Sequence, residues 1–309
     1  MLCLFSTVVS CILFVVSSDA SQARPVIGIL SQPLTDTPIN GTSYIAASYV
    51  KYAEAGGARV VPLIFDEPLD VFQTKLAGIN AVLLPGGGAD TSPNTPYGAR
   101  LRVVWSEMTT AFAQGEKFPL WGTCMGFEEL AELASGTADV LSSFDAENLS
   151  LPLTFLTGAS NSALFKDCSS AELATLASPE GVTMNNHAYG VSPDAFTKYL
   201  SNNLTALTTS VDRKGKTFIS AMEGKQWPIF GSQFHPEKPM FEWYVGEGID
   251  HSTASVAANL YFARFLGNLA RSSNSRAMSE ESFAQLGIYN YRPVYSEAVM
   301  TSFEQIYAF

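Results

Sequence analysis

The sequence predicts an α/β fold: a three-layer sandwich in which helices cover both faces of a mostly parallel central sheet. Short apolar runs, as expected of strands buried on both faces, alternate with longer stretches that have helical spacing. Two of these runs end in glycine-containing turns, and sites in such sheets lie beyond the carboxyl ends of the strands. The 309 residues, 47% hydrophobic and 15% charged, have the composition of a globular protein.

The predicted elements before residue 134 alternate between strand and helix. Apolar runs predict strands at 25–30, 59–65 and 81–84, and another that starts at Leu120. Apolar residues at helical spacing predict helices at 43–55, 70–76, 101–114 and 127–133. Gly56 and Gly57 would end the first of these helices. This order of elements predicts strands that run parallel and pair within one sheet.

The remaining elements follow a less regular region. Residues 138–210 are rich in serine, alanine and leucine, so we expect an irregular segment with a few strands and helices. Two late strands at 217–222 and 228–234 precede a helix at 252–269. Since a disordered tail normally holds few aromatic residues, we expect those of the C-terminal tail to pack back on the body: Tyr289, Tyr291, Tyr295, Phe303, Tyr307 and Phe309.

The N-terminus indicates a secreted or vacuolar protein. Residues 2–16 are apolar and end in small residues, which predicts a signal peptide at 1–23 with cleavage after Ala20 or Ala23, followed by a single domain at 24–309. An uncleaved membrane anchor is the alternative. Glycosylation sequons at Asn40, Asn148 and Asn203 agree with the secretory pathway, with the vacuole or lysosome or the extracellular space as destination.

The charge of the chain argues against two classes of partner. The formal net charge is −11, and no run of lysine and arginine interrupts the sequence. Nucleic acids and anionic membranes bind basic surfaces, so we expect neither as a partner once the signal peptide has been removed.

The segment 121–128 has the pattern of a nucleophile elbow. Cys124 follows an apolar run, precedes a helix-forming run and lies between Gly122 and Gly126. Such a turn from strand to helix exposes a nucleophile at its corner, and the helix N-terminus would favour the thiolate. Cys168 is the other cysteine after the signal peptide, and a disulfide between it and Cys124 is the alternative.

A base and an oxyanion site are predicted beside the nucleophile. His235 ends the second late strand, and Glu237, two residues on, could orient its imidazole. The backbone N–H groups of Met125 and Gly87 are the expected oxyanion donors. These residues predict a cysteine hydrolase.

Seven segments resemble the γ-glutamyl hydrolase family of the class I glutamine amidotransferase-like superfamily: 122–130, 234–238, 41–52, 56–62, 84–87, 241–243 and 249–252. The resemblance implies a thiol hydrolase that cleaves folylpoly-γ-glutamates and antifolate polyglutamates, without metal or cofactor, in lysosomes, vacuoles or secretions. It also implies a possible homodimer.

The resemblance further assigns roles to individual residues. Cys124 would be the nucleophile, His235 the base and then the acid, and Glu237 the orienting member. Tyr44, His187 and Glu128 are predicted to bind substrate. Each also has a purely structural alternative: core packing for Tyr44, a surface position for His187 and a complement to the helix dipole for Glu128. His251 is interpreted as structural. Because the substrate is a polyanion, a local cationic patch is expected, for which the sequence offers Arg59, Arg102 and Lys238.

The sequence leaves three other functions open. A glutaminase subunit would use the same three catalytic residues but would need a cytosolic synthase partner, which the signal peptide disfavours. A secreted peptidase could act on other γ-glutamyl compounds. A non-catalytic binding protein of the same fold is disfavoured by the intact Cys124, His235 and Glu237.

Overall fold

The computed structural model describes residues 24–273 and 275–309, so the predicted signal peptide at 1–23 lies outside the described residues. Its main sheet has eight strands: β1 (Val26–Leu30), β4 (Arg59–Leu63), β5 (Ala81–Leu84), β6 (Leu120–Thr123), β8 (Thr154–Phe155), β10 (Leu204–Val211), β11 (Thr217–Gly224) and β12 (Ile229–Ser232). Their order across the sheet is β4-β1-β5-β6-β12-β11-β10-β8. The first five in the order pair parallel and the last three antiparallel, which confirms the mostly parallel sheet.

Helices cover both faces of this sheet. They are α1 (Ala47–Ala55), α2 (Leu69–Gly78), α3 (Pro96–Ala113), α4 (Met125–Ser135), α5 (Ser170–Leu176), α6 (Pro193–Ala195), α7 (Lys238–Phe241), α8 (Thr253–Ser272) and α9 (Glu280–Leu286). Buried residues of α1 and α8 share one apolar core with Ile27 and Ile29 of β1. Those of α2, α3 and α4 share the other core with Val26 and Leu30. Alternate residues of one strand therefore enter opposite cores, as the three-layer prediction requires.

The predicted helix at 43–55 is wrong in its first turn. Residues 43–46 form β3 (Ser43–Ala46), and the helix begins only at Ala47. Strand β3 pairs with β14 (Gln305–Ala308) and with β2 (Gln32–Pro33), and β13 (Pro293–Tyr295) completes this four-stranded sheet. Its backbone hydrogen bonds go to the C-terminal tail, a long-range pairing that outweighs local helical periodicity.

The segment 138–210 is more regular than expected. Strands β7 (Ser142–Leu151) and β9 (Thr183–Gly190) form a two-stranded antiparallel ribbon, whereas β8 and β10 extend the main sheet. Register shifts interrupt the pairing of β7 with β9. These irregularities break the alternation of polar and apolar residues, so the ribbon had no clear strand pattern in the sequence.

Four of the six tail aromatics pack as predicted. Phe303 is buried, and the core is also contacted by Tyr291, Tyr307 and Phe309. Tyr289 and Tyr295 remain 67% and 59% exposed, which corrects the prediction for these two residues. Within the described ranges, no helix is long and apolar enough to cross a bilayer.

Candidate active site

The nucleophile elbow is present where β6 turns into α4. Cys124 has φ 55° and ψ −111°, a backbone region that non-glycine residues seldom occupy. The turn depends on its two glycines: a Cβ on Gly122 would lie 2.3 Å from the Gly126 carbonyl oxygen, and one on Gly126 would lie 2.0 Å from that of Leu84. Close backbone contact thus explains both glycines.

The predicted base lies beside the elbow because β12 is the parallel neighbour of β6. The Cys124 N–H donates to the Ser232 carbonyl at 2.9 Å, which joins the ends of the two strands. Three residues on, His235 is buried, and its Nδ1 lies 2.7 Å from Oε1 of the fully buried Glu237. Nδ1–H donation to this carboxylate would leave Nε2 as the proton acceptor for the thiol.

Gly86 separates the nucleophile from the base. A Cβ on this residue would lie 2.8 Å from Cε1 of His235 and 3.2 Å from the Cβ of Cys124. Any side chain at this position would therefore occupy the space between the two catalytic groups. The strand β5 that delivers Gly86 lies next to β6 in the sheet, so three neighbouring strand ends build the site.

Tyr49, a residue that sequence reasoning missed, supports the base. Its hydroxyl accepts the Gly86 N–H at 2.8 Å and lies 3.3 Å from Nδ1 of His235. Tyr49 is buried on α1, where burial and the negative charge of Glu237 raise its pKa well above the ordinary value. The hydroxyl is therefore neutral, and it ties the glycine turn to the imidazole.

Tyr44 lies on β3 rather than in a helix, which corrects its predicted setting. Its ring packs against Phe303, and it lines the catalytic cavity, but its contacts differ from those of Tyr49. Burial raises the pKa of Tyr44 to about 12. The predicted contact of Tyr44 with substrate agrees with its position in the cavity wall, whereas the tyrosine that contacts His235 is Tyr49.

Two cavities meet at the glycine turn. The catalytic cavity, of about 210 Å³, is lined by the 86–88 turn together with Tyr44, Cys124, Asn186, His235, Lys238 and Phe303. An adjoining cavity of about 580 Å³ shares Gly87 and Gly88 and is lined by Asp90, Met125, Glu128, Glu129, Glu132 and Tyr189. We refer to this adjoining space as the acidic cavity. The nucleophile thus lies between a small cavity and a larger acidic one.

Of the two predicted oxyanion donors, Met125 lies next to the sulfur. Its N–H opens α4 and, by hydrogen bonding to Cys124, acts to lower the pKa of the thiol. The Gly86 N–H donates to Tyr49, so Gly87 supplies the next N–H of the turn. Gly87 and Cys124 line the same cavity, and the Gly87 N–H stays the predicted second donor.

The electrostatics at Cys124 differ from the prediction that the thiolate is favoured. Burial raises the pKa of the thiol well above its usual range, and the charge of Glu128 adds to this effect. The Met125 N–H and the charge of Lys238 act in the opposite direction. Because desolvation is the largest of these effects, burial favours the neutral thiol over the thiolate.

Glu128 has an unusual carboxyl group at the mouth of the acidic cavity. Its Oε1 accepts a hydrogen bond from Gln233 Nε2 at 2.8 Å. Burial raises the pKa of Glu128 to about 7, against the lowering effect of the Gln233 bond, and nearby Glu132 adds to the rise. The group therefore changes charge near neutral pH, which a plain complement to the helix dipole would not do.

His187 is held away from the catalytic cavity. Its Nδ1 lies 2.6 Å from the Tyr189 carbonyl oxygen, its Nε2 lies 3.2 Å from Asn185 Oδ1, and its ring packs edge-on against Phe218. Burial lowers the pKa of His187 to about 4. The preceding residue, Asn186, reaches the site instead, since its carbonyl lies 3.8 Å from the Cys124 sulfur. This alternation along β9 separates the two residues.

The structure also places the remaining candidates. Cys124 and Cys168 are free thiols, so the alternative disulfide is wrong. Asn40, Asn148 and Asn203 are all exposed, and the amide of Asn148 also bonds Gly246 and Gly248 of a neighbouring loop. Nowhere in residues 24–273 and 275–309 do three potential metal ligands cluster.

Of the three candidate cations, one reaches the catalytic cavity. Arg59 pairs with Glu280, and Arg102 donates to the carbonyls of Thr91 and Gly98, both away from that cavity. Lys238 lines it. The sequence named Lys238 as one of three candidates, whereas Tyr49 and Asn186 carried no signal of a role in the site.

Comparisons with known proteins agree with this geometry. The family model for glutamine amidotransferase class-I matches residues 40–242. γ-Glutamyl hydrolase B of Dictyostelium discoideum is 40% identical over 92% of this chain and 83% of its own length. The γ-glutamyl hydrolases of Mus musculus and Homo sapiens are 40% and 38% identical over 93% of this chain and 90% of their lengths. The chain therefore belongs to the γ-glutamyl hydrolase family, within the class-I glutamine amidotransferases.

Proposed function

We propose that this protein cleaves the γ-glutamyl amide bonds of folylpoly-γ-glutamates and antifolate polyglutamates through a thioester on Cys124, and so takes part in folate polyglutamate turnover. The observation that carries the proposal is the convergence of Cys124, His235 and Glu237 at the end of adjacent strands, in a chain of this family. The cavity beside them has a volume of about 210 Å³, which suits a flexible, linear chain better than a bulky folded substrate.

The proposed reaction has two halves. His235 removes the thiol proton as the sulfur of Cys124 attacks the γ-amide carbonyl, and the N–H groups of Met125 and Gly87 stabilise the oxyanion. His235 then protonates the departing amine, which leaves a γ-glutamyl thioester. In the second half, His235 activates a water molecule that releases the acid. Glu237 holds the imidazole in the tautomer that both halves need.

The acidic cavity points to a second class of substrate. Asp90 and Glu132 line it, as does Glu128, which is charged above about pH 7, and these negative charges would attract an α-ammonium group. γ-Glutamyl compounds with a free α-amino group carry such a charge, whereas the glutamates of a folylpolyglutamate are amidated at that nitrogen. The acidic cavity therefore favours, as the alternative function, a γ-glutamyl peptidase that acts on other γ-glutamyl compounds.

The proposal is tested by incubating pteroyl-γ-pentaglutamate with the protein and reading the product lengths by chromatography, beside Cys124→Ala. We expect shortened chains from the wild type and none from the variant, because the thioester cannot form without the sulfur. Equal activity of the two proteins would remove Cys124 from the mechanism. Inertness of the wild type on this substrate, with turnover of γ-glutamyl compounds that have a free α-amine, would establish the alternative.

The cellular setting belongs to the same proposal. Residues 1–23 would be a cleaved signal peptide and 24–309 the single mature domain, which passes through the secretory pathway to a vacuole or lysosome or to the outside. The apolar N-terminal run and the exposed positions of Asn40 and Asn203 support this route. A homodimer is proposed on the resemblance to the family.

A further inference from the structure

Lys238 is a buried cation in the wall of the catalytic cavity. It begins α7, three residues after His235, and is only 1% exposed. Its positive charge is close enough to Cys124 to lower the pKa of that thiol. Burying an ammonium costs free energy, which an anion and other hydrogen-bond acceptors beside it must offset.

One partner is already present in the protein. The Lys238 ammonium donates to Oε2 of Glu247 at 2.5 Å, and the Ser302 carbonyl oxygen lies at a longer 3.4 Å. Asn148 fixes the loop that carries Glu247, since its amide bonds both Gly246 and Gly248. An ammonium has three N–H donors, so at least one is left for a ligand in the cavity.

The charges around the nucleophile are divided between the two cavities. Among the described residues that line either one, Lys238 is the sole lysine or arginine. The acidic cavity presents Asp90, Glu128 and Glu132 on the other side of the glycine turn. An anionic group of the substrate is therefore attracted towards Lys238 and repelled from the acidic side.

The leaving group must lie on the side of Lys238. His235 protonates the departing nitrogen, and His235 and Lys238 line the same cavity. In a γ-linked glutamate chain, the carbon that bears this nitrogen also bears the α-carboxylate. Resting on the function proposed above, we propose that the Lys238 ammonium binds the α-carboxylate of the departing glutamate and selects leaving groups that carry one.

The test compares two substrates that differ in one group. One is N-acetyl-γ-glutamyl-glutamate, and in the other the α-carboxylate of the second glutamate is a primary amide. The carboxylate preference is the kcat/KM of the first divided by that of the second. Since Lys238→Met alone would leave Glu247 buried without a partner, the variant is Lys238→Met combined with Glu247→Gln. Arg102→Met is the matched control, a cation removed from outside the catalytic cavity.

We expect the carboxylate preference of the double variant to be roughly 100-fold smaller than that of the wild type, because a buried charge-assisted hydrogen bond to the substrate is lost. Lys238→Arg should retain part of the preference, and Arg102→Met all of it. A preference that survives in the double variant, or that the wild type never shows, overturns the proposal. The dissociation constants of the two compounds in the Cys124→Ala background should show the same difference. Because that readout needs no turnover, it judges Lys238 separately from the proposed hydrolysis.

Discussion

At the scale of single residues, the site depends on polar groups whose pKa values are raised by burial. Burial raises the pKa of Cys124 and of Glu128, and it keeps the hydroxyl of Tyr49 neutral. In the proposed mechanism, Cys124 is therefore activated during the reaction rather than stored as an ion pair with His235. Proton transfer from Cys124 to His235 is then the step on which the neighbouring groups would act.

Tyr49→Phe should reduce kcat by roughly ten- to hundredfold, because the Gly86 N–H would lose its acceptor at a cost of about 1–3 kcal/mol beside the catalytic pair. The KM should change little, since the hydroxyl contacts the imidazole and not the substrate. Tyr52→Phe is the matched control: it removes a buried hydroxyl of the same helix that has no hydrogen-bond partner. Steady-state kinetics of both variants distinguish support of His235 from a general effect of losing a hydroxyl on α1.

Glu128→Gln should lower the apparent pKa of Cys124, because the variant removes a negative charge that raises it. The measurement is the rate of alkylation by iodoacetamide as a function of pH. Since the pKa of Glu128 is about 7, the charge is present only above that pH, and wild-type and variant rates should converge below it. Parallel profiles displaced by a constant factor at every pH would contradict this account.

At the scale of elements, close contact between backbones fixes the elbow. Helix α4 can follow β6 at this distance only because Gly122 and Gly126 leave room for the neighbouring carbonyl oxygens. The helix in turn sets the position of Met125 N–H and of Glu128. A small change at the contact therefore affects both the oxyanion site and the charge near the thiol.

Gly126→Ala should lower the free energy of unfolding by about 1–3 kcal/mol or more, since its Cβ would meet the Leu84 carbonyl oxygen at 2.0 Å and backbone atoms cannot rotate away. Thermal and chemical denaturation measure the loss. Gly88→Ala is the control for the added methyl group, because nothing lies within 4 Å of its Cβ position. Equal loss of stability in the two variants would mean that the backbone around Leu84 moves to accommodate the added methyl group, which would contradict the prediction.

At the scale of the whole molecule, buried carboxyl groups connect stability to acidity. Burial raises the pKa of both Glu128 and Glu242 to about 7, and it raises that of Glu129 well above the ordinary range. The folded protein thus holds protons that the unfolded chain would release. His187, whose pKa burial lowers to about 4, acts in the opposite direction.

The protein should therefore be more stable at pH 5 than at pH 7.5. Between pH 4.5 and 7 the folded state binds more protons through the three glutamates than the unfolded chain does, so the free energy of unfolding falls as pH rises through this window. His187 offsets part of the effect, which leaves a difference on the order of a few kcal/mol. Melting temperatures across the range measure it, and Glu242→Gln should flatten the slope. A melting temperature that rises steadily from pH 5 to 7.5 would contradict the assignment.

Much of the catalytic centre could be predicted from the sequence because it is encoded in short segments. The elbow around Cys124 depends on residues adjacent in the chain, and His235 and Glu237 lie two positions apart. The parallel order of β5, β6 and β12 then brings these segments together, as the alternation of strands and helices implied. Local pattern therefore predicted the fold class correctly and indicated the candidate nucleophile and base that the fold brings together.

The tertiary structure decided the groups whose partners are distant in sequence. Tyr49 rather than Tyr44 contacts His235 because α1 packs across a separation of 186 residues, while the tail strand β14 draws Tyr44 into a sheet. Lys238 was distinguished from Arg59 and Arg102 only by the cavity that it lines. Such choices depend on long-range packing and on which side chains lose water, and neither is written in the local pattern of residues.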